Sequence, residues 1–195
     1  MPQPDQVMAL PIPEPGTLPE DLQKYRRVCE EKLGLVPNVI TAYGMRPNKL
    51  RNFISLYNEL MLADSGLTKL EREMVAVTVS AANRCYYCLV AHGQAVRQLS
   101  GDPELGEMLV MNYRVAPLSD RHRAMLDFAW KLTTTPADVG EVDRDGLRAV
   151  GLGEEDIFDL CDVVGFFNMS NRVASGVDMM PNRAYHRMNR ADDTP

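Results

Sequence analysis

The hydrophobic pattern along the chain is helical from residue 19 onward. Apolar side chains recur every three or four residues in one segment after another, as on the buried face of an amphipathic helix. Helix-ending and helix-starting signals separate these segments, for example Gly34 after the first one and Gly153 before the last. The pattern predicts helices at 19–33, 38–43, 48–62, 68–82, 85–99, 103–112, 119–133, 137–150 and 154–174. We therefore expect an all-α domain.

One predicted helix contains a stretch that also favours a strand. Residues 75–79 read Val-Ala-Val-Thr-Val, and β-branched residues are enriched in strands. Thr68 and Glu71, however, have the spacing of a capping box at a helix start. No turn signal interrupts the segment and no partner strand is evident elsewhere, so we assign it as helix.

The two ends of the chain differ from this helical middle. The first eighteen residues form a Pro-rich N-terminal arm, which we expect to be extended and either to wrap a neighbouring surface or to stay mobile. Residues 19–178 form the helical domain, and residues 179–195 form a C-terminal tail whose polar end we expect to fray. A similarity between residues 67–75 and 118–126, at an offset of 51, fits a two-fold pseudo-repeat, although similar helix starts would also resemble each other.

The charge balance and the ends of the chain narrow the class of protein. The 195 residues carry 21 Lys and Arg against 27 Asp and Glu, a formal net charge of −6. An acidic balance argues against a nucleic-acid partner, and no apolar run approaches the ~18 residues that cross a bilayer. The start of the chain lacks the pattern of a signal peptide, so we expect a cytoplasmic protein without a membrane partner. There thiols stay reduced, and a close cysteine pair is redox-active or metal-binding.

That pair lies in Cys85-Tyr-Tyr-Cys88, with His92 one turn later. The two cysteines and the histidine have the spacing i, i+3 and i+7, which places them on one face of a helix. Cys85 falls in the first turn, where the helix dipole lowers a thiol pKa. His92 is positioned to accept the proton of the Cys88 thiol. Cysteines at this spacing can also close a disulfide.

Glu73 joins this face if helices 68–82 and 85–99 form an antiparallel hairpin. Glu73 is ten residues before Asn83 and His92 is nine after it, so the two side chains stand at nearly the same level. A carboxylate at that position can hold the imidazole tautomer and raise its basicity.

Three other uses of a Cys-x-x-Cys pair fit this sequence less well. A zinc site needs about four ligands, and Cys85, Cys88 and His92 supply three, so zinc is less favoured. Attachment of c-type haem fails because Leu89, not a histidine, follows Cys88. A thioredoxin-like fold fails because the chain lacks βαβ alternation.

Taken together, these residues resemble the AhpD-like alkylhydroperoxidases of the carboxymuconolactone decarboxylase superfamily, and most closely their longer peroxidase-related subgroup. The family pattern is a glutamate twelve residues before a Cys-x-x-Cys, then a histidine four residues after the second cysteine. Glu73, Cys85, Cys88 and His92 match all of it. Residues 147–152 and 167–172 are similar to the second helical half of that superfamily. Tyr87 stands where some members carry another histidine.

The resemblance implies an all-α homo-oligomer, usually a trimer or hexamer, that reduces hydroperoxides with a dithiol. Cys88 would be the peroxidatic cysteine, Cys85 the resolving one, and Glu73 and His92 the proton relay. The dipole argument favours Cys85 as the more acidic thiol. We nevertheless assign Cys88 as the cysteine that attacks the peroxide, because His92 can also deliver a proton to the leaving oxygen.

An external dithiol, which in the family can be lipoyl-linked, would restore the pair, with no metal, haem or flavin. Two alternatives stay open. One is a non-enzymatic redox-switch or adaptor oligomer. The other is decarboxylase-like activity of the wider superfamily, which does not depend on this dithiol.

Overall fold

The computed structural model describes residues 3–190, and their regular structure is entirely helical. This confirms the all-α prediction. Short 3₁₀ turns connect some of the helices. The α-helices are α1 (Glu20–Leu33), α2 (Asn38–Tyr43), α3 (Pro47–Leu62), α4 (Lys69–Ala82), α5 (Tyr86–Ser100), α6 (Pro103–Asn112), α7 (Asp120–Thr134), α8 (Glu141–Ala149) and α9 (Glu154–Gly176). Within residues 3–190, no helix is both long enough and apolar enough to cross a membrane.

Helix α4 lies at the centre of the fold. It packs against α3, α5, α6, α7 and α9, and every side chain from Glu71 to Ser80 is buried. A helix that is apolar on nearly all sides belongs in a core, which explains the strand-like run at 75–79. The capping box forms as its spacing predicts: Glu71 N–H donates to Thr68 Oγ1 at 3.1 Å, and Thr68 N–H donates to Glu71 Oε2 at 2.8 Å.

Helix α8 begins later than its pattern indicates. The sequence predicts a start at residue 137, but Pro136–Asp138 form a separate 3₁₀ turn and the helix starts at Glu141. Asp143 caps that start by accepting a hydrogen bond from Gly140 N–H at 2.8 Å, and it also pairs with Lys131 at 2.7 Å. The carboxylate of Asp143 therefore fixes the first turn at a position that the apolar spacing does not reveal.

The two ends of the described chain lie side by side. Ala9 N–H donates to Val177 O at 2.8 Å, and Met180 N–H donates to Val7 O at 2.9 Å, so the extended arm pairs with the segment after α9. Met8 of the arm is buried beneath this contact.

The segment after Met180 folds back onto α5. The guanidinium of Arg97 donates to the carbonyl oxygens of Tyr185, at 2.8 Å, and Met188, at 3.1 Å. The expected fraying of the polar end concerns residues 191–195, which lie outside the described residues. The domain limits at 18/19 and 178/179 stay predictions.

Candidate active site

The candidate site lies between α4 and α5, which pack closely on each other. A three-residue connection, Asn83-Arg84-Cys85, joins the two helices, and Arg84 turns the chain with a φ of 53°. Across this pair, His92 Nδ1 lies 2.6 Å from Glu73 Oε2. A carboxylate only accepts hydrogen bonds, so Nδ1 of the ring carries the proton and Nε2 is left for another partner.

Helix α9 completes the wall around the imidazole. The edge of the Phe167 ring meets the His92 ring with centroids 4.6 Å apart and planes at 83°. The side chains of His92 and Glu73 are 12% and 10% exposed. Packing and the carboxylate together hold the ring in one orientation, with little solvent around it.

Both sulfurs are buried. Cys85 and Cys88 are free thiols, each in a residue that is 1% exposed. They belong to an apolar cluster drawn from the arm, α2, α5, α9 and the segment after α9: Met8, Ala42, Cys85, Tyr87, Cys88, Ala174 and Met179. The arm and the C-terminal segment therefore cover the dithiol.

A surface cavity of about 540 Å³ lies near the first turn of α5. Its lining residues are Gln3, Tyr86, Arg183, Ala184, His186 and Arg187. Tyr86 belongs to the Cys-x-x-Cys motif, but neither sulfur lines the cavity wall. This cavity gives no direct entry to the dithiol.

The two thiols have opposite pKa shifts because they share a proton. A hydrogen bond from the Cys88 thiol lowers the pKa of Cys85 to about 6 against the cost of burial, helped by the Cys88 backbone N–H, by Ser175 and by the charge of His92. The side chain of Cys85 accepts no capping hydrogen bond at the start of α5, so the Cys88 backbone N–H lowers the pKa of Cys85 less than the Cys88 thiol does. The hydrogen bond with Cys85, followed by burial, raises the pKa of Cys88.

These directions favour Cys85 as the more acidic thiol of the pair, which is the order that the helix-dipole argument predicts. Which of the two cysteines attacks a peroxide stays a prediction.

The sequence did not identify the polar groups that α9 presents to the sulfurs. Ser175 helps to lower the pKa of Cys85, while Ser170 and Asn171 act to lower the pKa of Cys88 against the larger raising effects of Cys85 and burial. Only one signal pointed here: Asn168 and Asn171 interrupt an otherwise apolar helix. The structure shows that both are part of a partly buried amide network with Asn83, whose Nδ2 donates to Asn168 Oδ1 at 3.1 Å and to Asn171 Oδ1 at 3.0 Å.

Tyr87, where some AhpD-like proteins have a second histidine, has a structural contact instead. It is 5% exposed, and its hydroxyl accepts a hydrogen bond from Val39 N–H at 3.1 Å. The phenol thereby attaches α2 to α5 beside the dithiol.

Among residues 3–190, no three His, Cys, Asp or Glu side chains are grouped so that they could hold a metal ion. Cys161, one possible fourth ligand, packs against the main core and not in the cluster that holds Cys85 and Cys88.

Comparisons with known proteins identify the family. Residues 48–129 match the model of the carboxymuconolactone decarboxylase family. The structure of a peroxidase-related protein from Silicibacter sp. TM1040 is 58% identical, with a TM-score of 0.94 over 97% of this chain and 100% of that one. A peroxidase-related protein from Ralstonia eutropha JMP134, described as an alkylhydroperoxidase AhpD core, is 39% identical, with a TM-score of 0.94 over 96% of this chain and 99% of that one. The chain belongs to this AhpD-like family.

More distant similarity extends only to the fold. The debrominase Bmp8, solved in complex with 2,3,4-tribromopyrrole, is 20% identical to this AhpD-like chain, with a TM-score of 0.76 over 93% of this chain and 94% of that one. A comparison with curated proteins finds no match.

The proton sharing between the thiols predicts a pH profile. In the reduced protein, alkylation by iodoacetamide should label Cys85 first, with a rate that rises with pH and is half-maximal near pH 6, where that thiol becomes a thiolate. Cys88→Ala should move this midpoint upward, because it removes the largest cause of the lowered pKa. Mass spectrometry locates the label.

Cys161→Ala is the matched control and should leave the midpoint unchanged. First labelling of Cys88, or a midpoint near the ordinary thiol value of about 8.5, would contradict this assignment of the charge.

Proposed function

We propose that this chain is a thiol-dependent peroxidase that reduces hydroperoxides through the Cys85/Cys88 dithiol, with Glu73 and His92 as a proton relay. The observation that carries the proposal is the 2.6 Å contact between His92 Nδ1 and Glu73 Oε2, on the two helices whose connection and first turn carry the free thiols Cys85 and Cys88. Nucleophile, proton carrier and orienting carboxylate are the groups that such a reaction needs. Membership of the AhpD-like family, with peroxidase-related proteins among its members, supports it.

The proposed first step forms a sulfenic acid on Cys88. As the shared proton moves from Cys88 to Cys85, the Cys88 sulfur attacks one peroxide oxygen: an S–O bond forms and the O–O bond breaks. His92, with a proton on each ring nitrogen at the start of this step, gives the Nε2 proton to the leaving alkoxide or hydroxide, which departs as alcohol or water. Glu73 stabilises the charged imidazole before that transfer.

The second step forms the disulfide. Cys85 attacks the sulfenic sulfur: an S–S bond forms, the S–O bond breaks, and the hydroxyl leaves as water with the proton of the Cys85 thiol. An external dithiol then returns two electrons and two protons by thiol–disulfide exchange. A lipoyl-linked partner as this reductant, a trimeric or hexameric assembly and a cytoplasmic location remain expectations drawn from the sequence and the family.

Access to the sulfurs requires the cover to open. Met8 lies in the same buried cluster as both cysteines, and two backbone hydrogen bonds hold this part of the arm. Burial of the Met8 side chain stabilises the form in which the arm covers the dithiol by roughly 1.5–3 kcal/mol. This free energy is small enough for the arm to open from time to time. Turnover therefore includes a step in which the arm leaves the dithiol.

The alternatives make different demands on the relay. A non-enzymatic redox switch needs only the two sulfurs, whereas peroxide turnover also needs a group that protonates the leaving oxygen. Decarboxylase-like activity would not need the dithiol, so the intact pair counts against it.

Glu73→Gln tests the relay. We expect peroxide consumption with a small dithiol reductant to fall by roughly 10²–10⁴-fold, because the imidazole loses the carboxylate that supports its proton transfer. Disulfide formation with a chemical oxidant should persist. The matched control is Glu59→Gln on the exposed side of α3, which should consume peroxide at the original rate. Full turnover in Glu73→Gln would instead favour the redox switch.

The roles of the two cysteines are tested by trapping. After one equivalent of peroxide, Cys85→Ser should accumulate a sulfenic acid on Cys88, because no partner thiol remains to condense with it. Cys88→Ser should give none. Mass spectrometry with a sulfenic-acid reagent distinguishes these results, and the reverse pattern would exchange the two roles.

Met8→Ala tests the cover. Loss of the buried methionine should speed alkylation of the dithiol by about tenfold or more, because the open form becomes more populated. Met111→Ala is the control, since Met111 is 83% exposed and lies on α6. An unchanged rate in Met8→Ala would show that reagents reach the sulfurs by another path.

A further inference from the structure

The surface cavity beside the first turn of α5 has no role in the proposed peroxidase reaction. Its volume of about 540 Å³ is typical of pockets that bind small molecules. Neither sulfur lines it, so a molecule bound there is a second ligand and not the peroxide that Cys88 attacks. The side chains of the cavity wall therefore indicate what it can hold.

The wall of this cavity is cationic. Among the residues that the structure describes, none of those lining the cavity is acidic, and three can carry positive charge: Arg183, His186 and Arg187. The chain as a whole has a formal net charge of −6, so this local group of cations stands out against an acidic protein. Clefts lined by one sign of charge concentrate small ions of the opposite sign.

Arg187 provides a guanidinium that is available to a ligand. Its backbone N–H donates to Ala184 O at 3.0 Å, but within residues 3–190 its side chain has neither a hydrogen bond nor an ion pair. The neighbouring Arg183 and Arg190, in contrast, pair with Asp5 and Glu107. A guanidinium has a planar fork of donors that matches two oxygens of a carboxylate or a phosphate.

Tyr86 and His186 add two donors that already share one oxygen acceptor. The Tyr86 hydroxyl donates to Gln3 Oε1 at 3.2 Å, and His186 Nε2 lies 3.1 Å from the same oxygen. Gln3 Nε2 donates to Pro181 O at 2.7 Å, which holds that amide in its orientation. An amide oxygen only accepts, so this corner of the cavity presents hydrogens that suit the oxygens of an anion.

We propose that the cavity binds a small organic anion, with a carboxylate or phosphate group held by Arg187 and His186 and an apolar body packed on Tyr86. The apolar body is needed because a single carboxylate or phosphate group is much smaller than the cavity. The half-exposed ring of Tyr86 and the methyl group of Ala184 provide an apolar surface for it.

The pKa of His186 reports on an anion in this cavity. Burial, followed by the positive charges of Arg190, Arg97 and Arg183, lowers the pKa of this imidazole in the free protein. A bound anion stabilises the charged imidazole and therefore raises that pKa. The chain has three histidines, and His186 is the one that lines the cavity, so its ring signals can be followed by NMR.

The test titrates the protein with hexanoate, hexyl phosphate and acetate, each compared with sodium chloride at equal ionic strength. Saturable binding of hexanoate or hexyl phosphate should raise the pKa of His186 and leave that of His122 on α7 unchanged. The tighter of the two ligands identifies the charged group as a carboxylate or a phosphate. Acetate lacks the apolar body and should bind at least about tenfold more weakly than hexanoate.

Arg187→Gln should weaken the binding of hexanoate or hexyl phosphate roughly tenfold, because it removes a charged donor. Arg51→Gln is the matched control: it removes the same charge from an exposed ion pair with Asp21 and should leave the affinity unchanged.

Three results would overturn the proposal. Sodium chloride could change the pKa of His186 as much as hexanoate and hexyl phosphate do, Arg187→Gln could bind both ligands as tightly as the original chain, or acetate could bind as tightly as hexanoate. The first of these needs no substitution, so the test does not depend on the folding of a variant. None of the measurements uses peroxide, so a failure of the proposed function leaves their outcome standing.

Discussion

The burial of α4 on nearly all sides is the constraint from which the site follows. Three consecutive charged residues, Glu71, Arg72 and Glu73, lie on this central helix and are each less than 8% exposed. A buried charge is tolerated only with a partner, and each has one. The partners are as follows: Glu71 pairs with Arg121 at 2.7 Å, Arg72 donates to the carbonyl oxygens of Leu60 and Ala63, and Glu73 contacts His92.

Two of these partners maintain the fold, while the third is free to do chemistry. Arg72 satisfies the carbonyls at the end of α3, and Arg121 neutralises the residue that caps α4. Glu73 instead faces an imidazole with one nitrogen left for another partner. The packing that buries α4 thus also places the Glu73 carboxylate at the level of His92, with Oε2 2.6 Å from Nδ1. Because both side chains are on packed helices, this distance is held more closely than it would be between loops.

Local sequence rules predicted the parts of the structure that depend on spacing. The capping box at Thr68, the helical period of 3.6 and the i, i+3, i+7 pattern of Cys85, Cys88 and His92 all involve near neighbours in sequence, so they can be read from the chain alone. Counting residues from Asn83 also put Glu73 and His92 at one level, because rise per residue is constant in a helix. The two-fold pseudo-repeat stays a hypothesis.

What spacing does not specify is contact between distant segments. Met8 covers sulfurs that lie some eighty residues further along the chain, and Asn171 reaches Ser80 across a separation of 91 positions. Neither contact produces a periodic pattern in the sequence. The polar residues that interrupt the apolar face of α9 indicate a polar contact there, but not its partner. The acidity of the thiols has the same origin, since Cys88 and its surroundings, more than the start of α5 alone, lower the pKa of Cys85.

The burial of the dithiol makes its reactivity depend on fixed donors. In water a thiolate is solvated from all sides, but Cys85 and Cys88 are each only 1% exposed. Burial by itself therefore raises the pKa of both thiols. The charge is held instead by a neighbouring thiol, a backbone N–H and the side chains of α9. These donors are also part of the contact between α9 and the α4–α5 pair, so the geometry that keeps the helices together sets which sulfur is charged. The pKa values of the two thiols therefore depend on that contact, which links their acidity to the packing of the central helix.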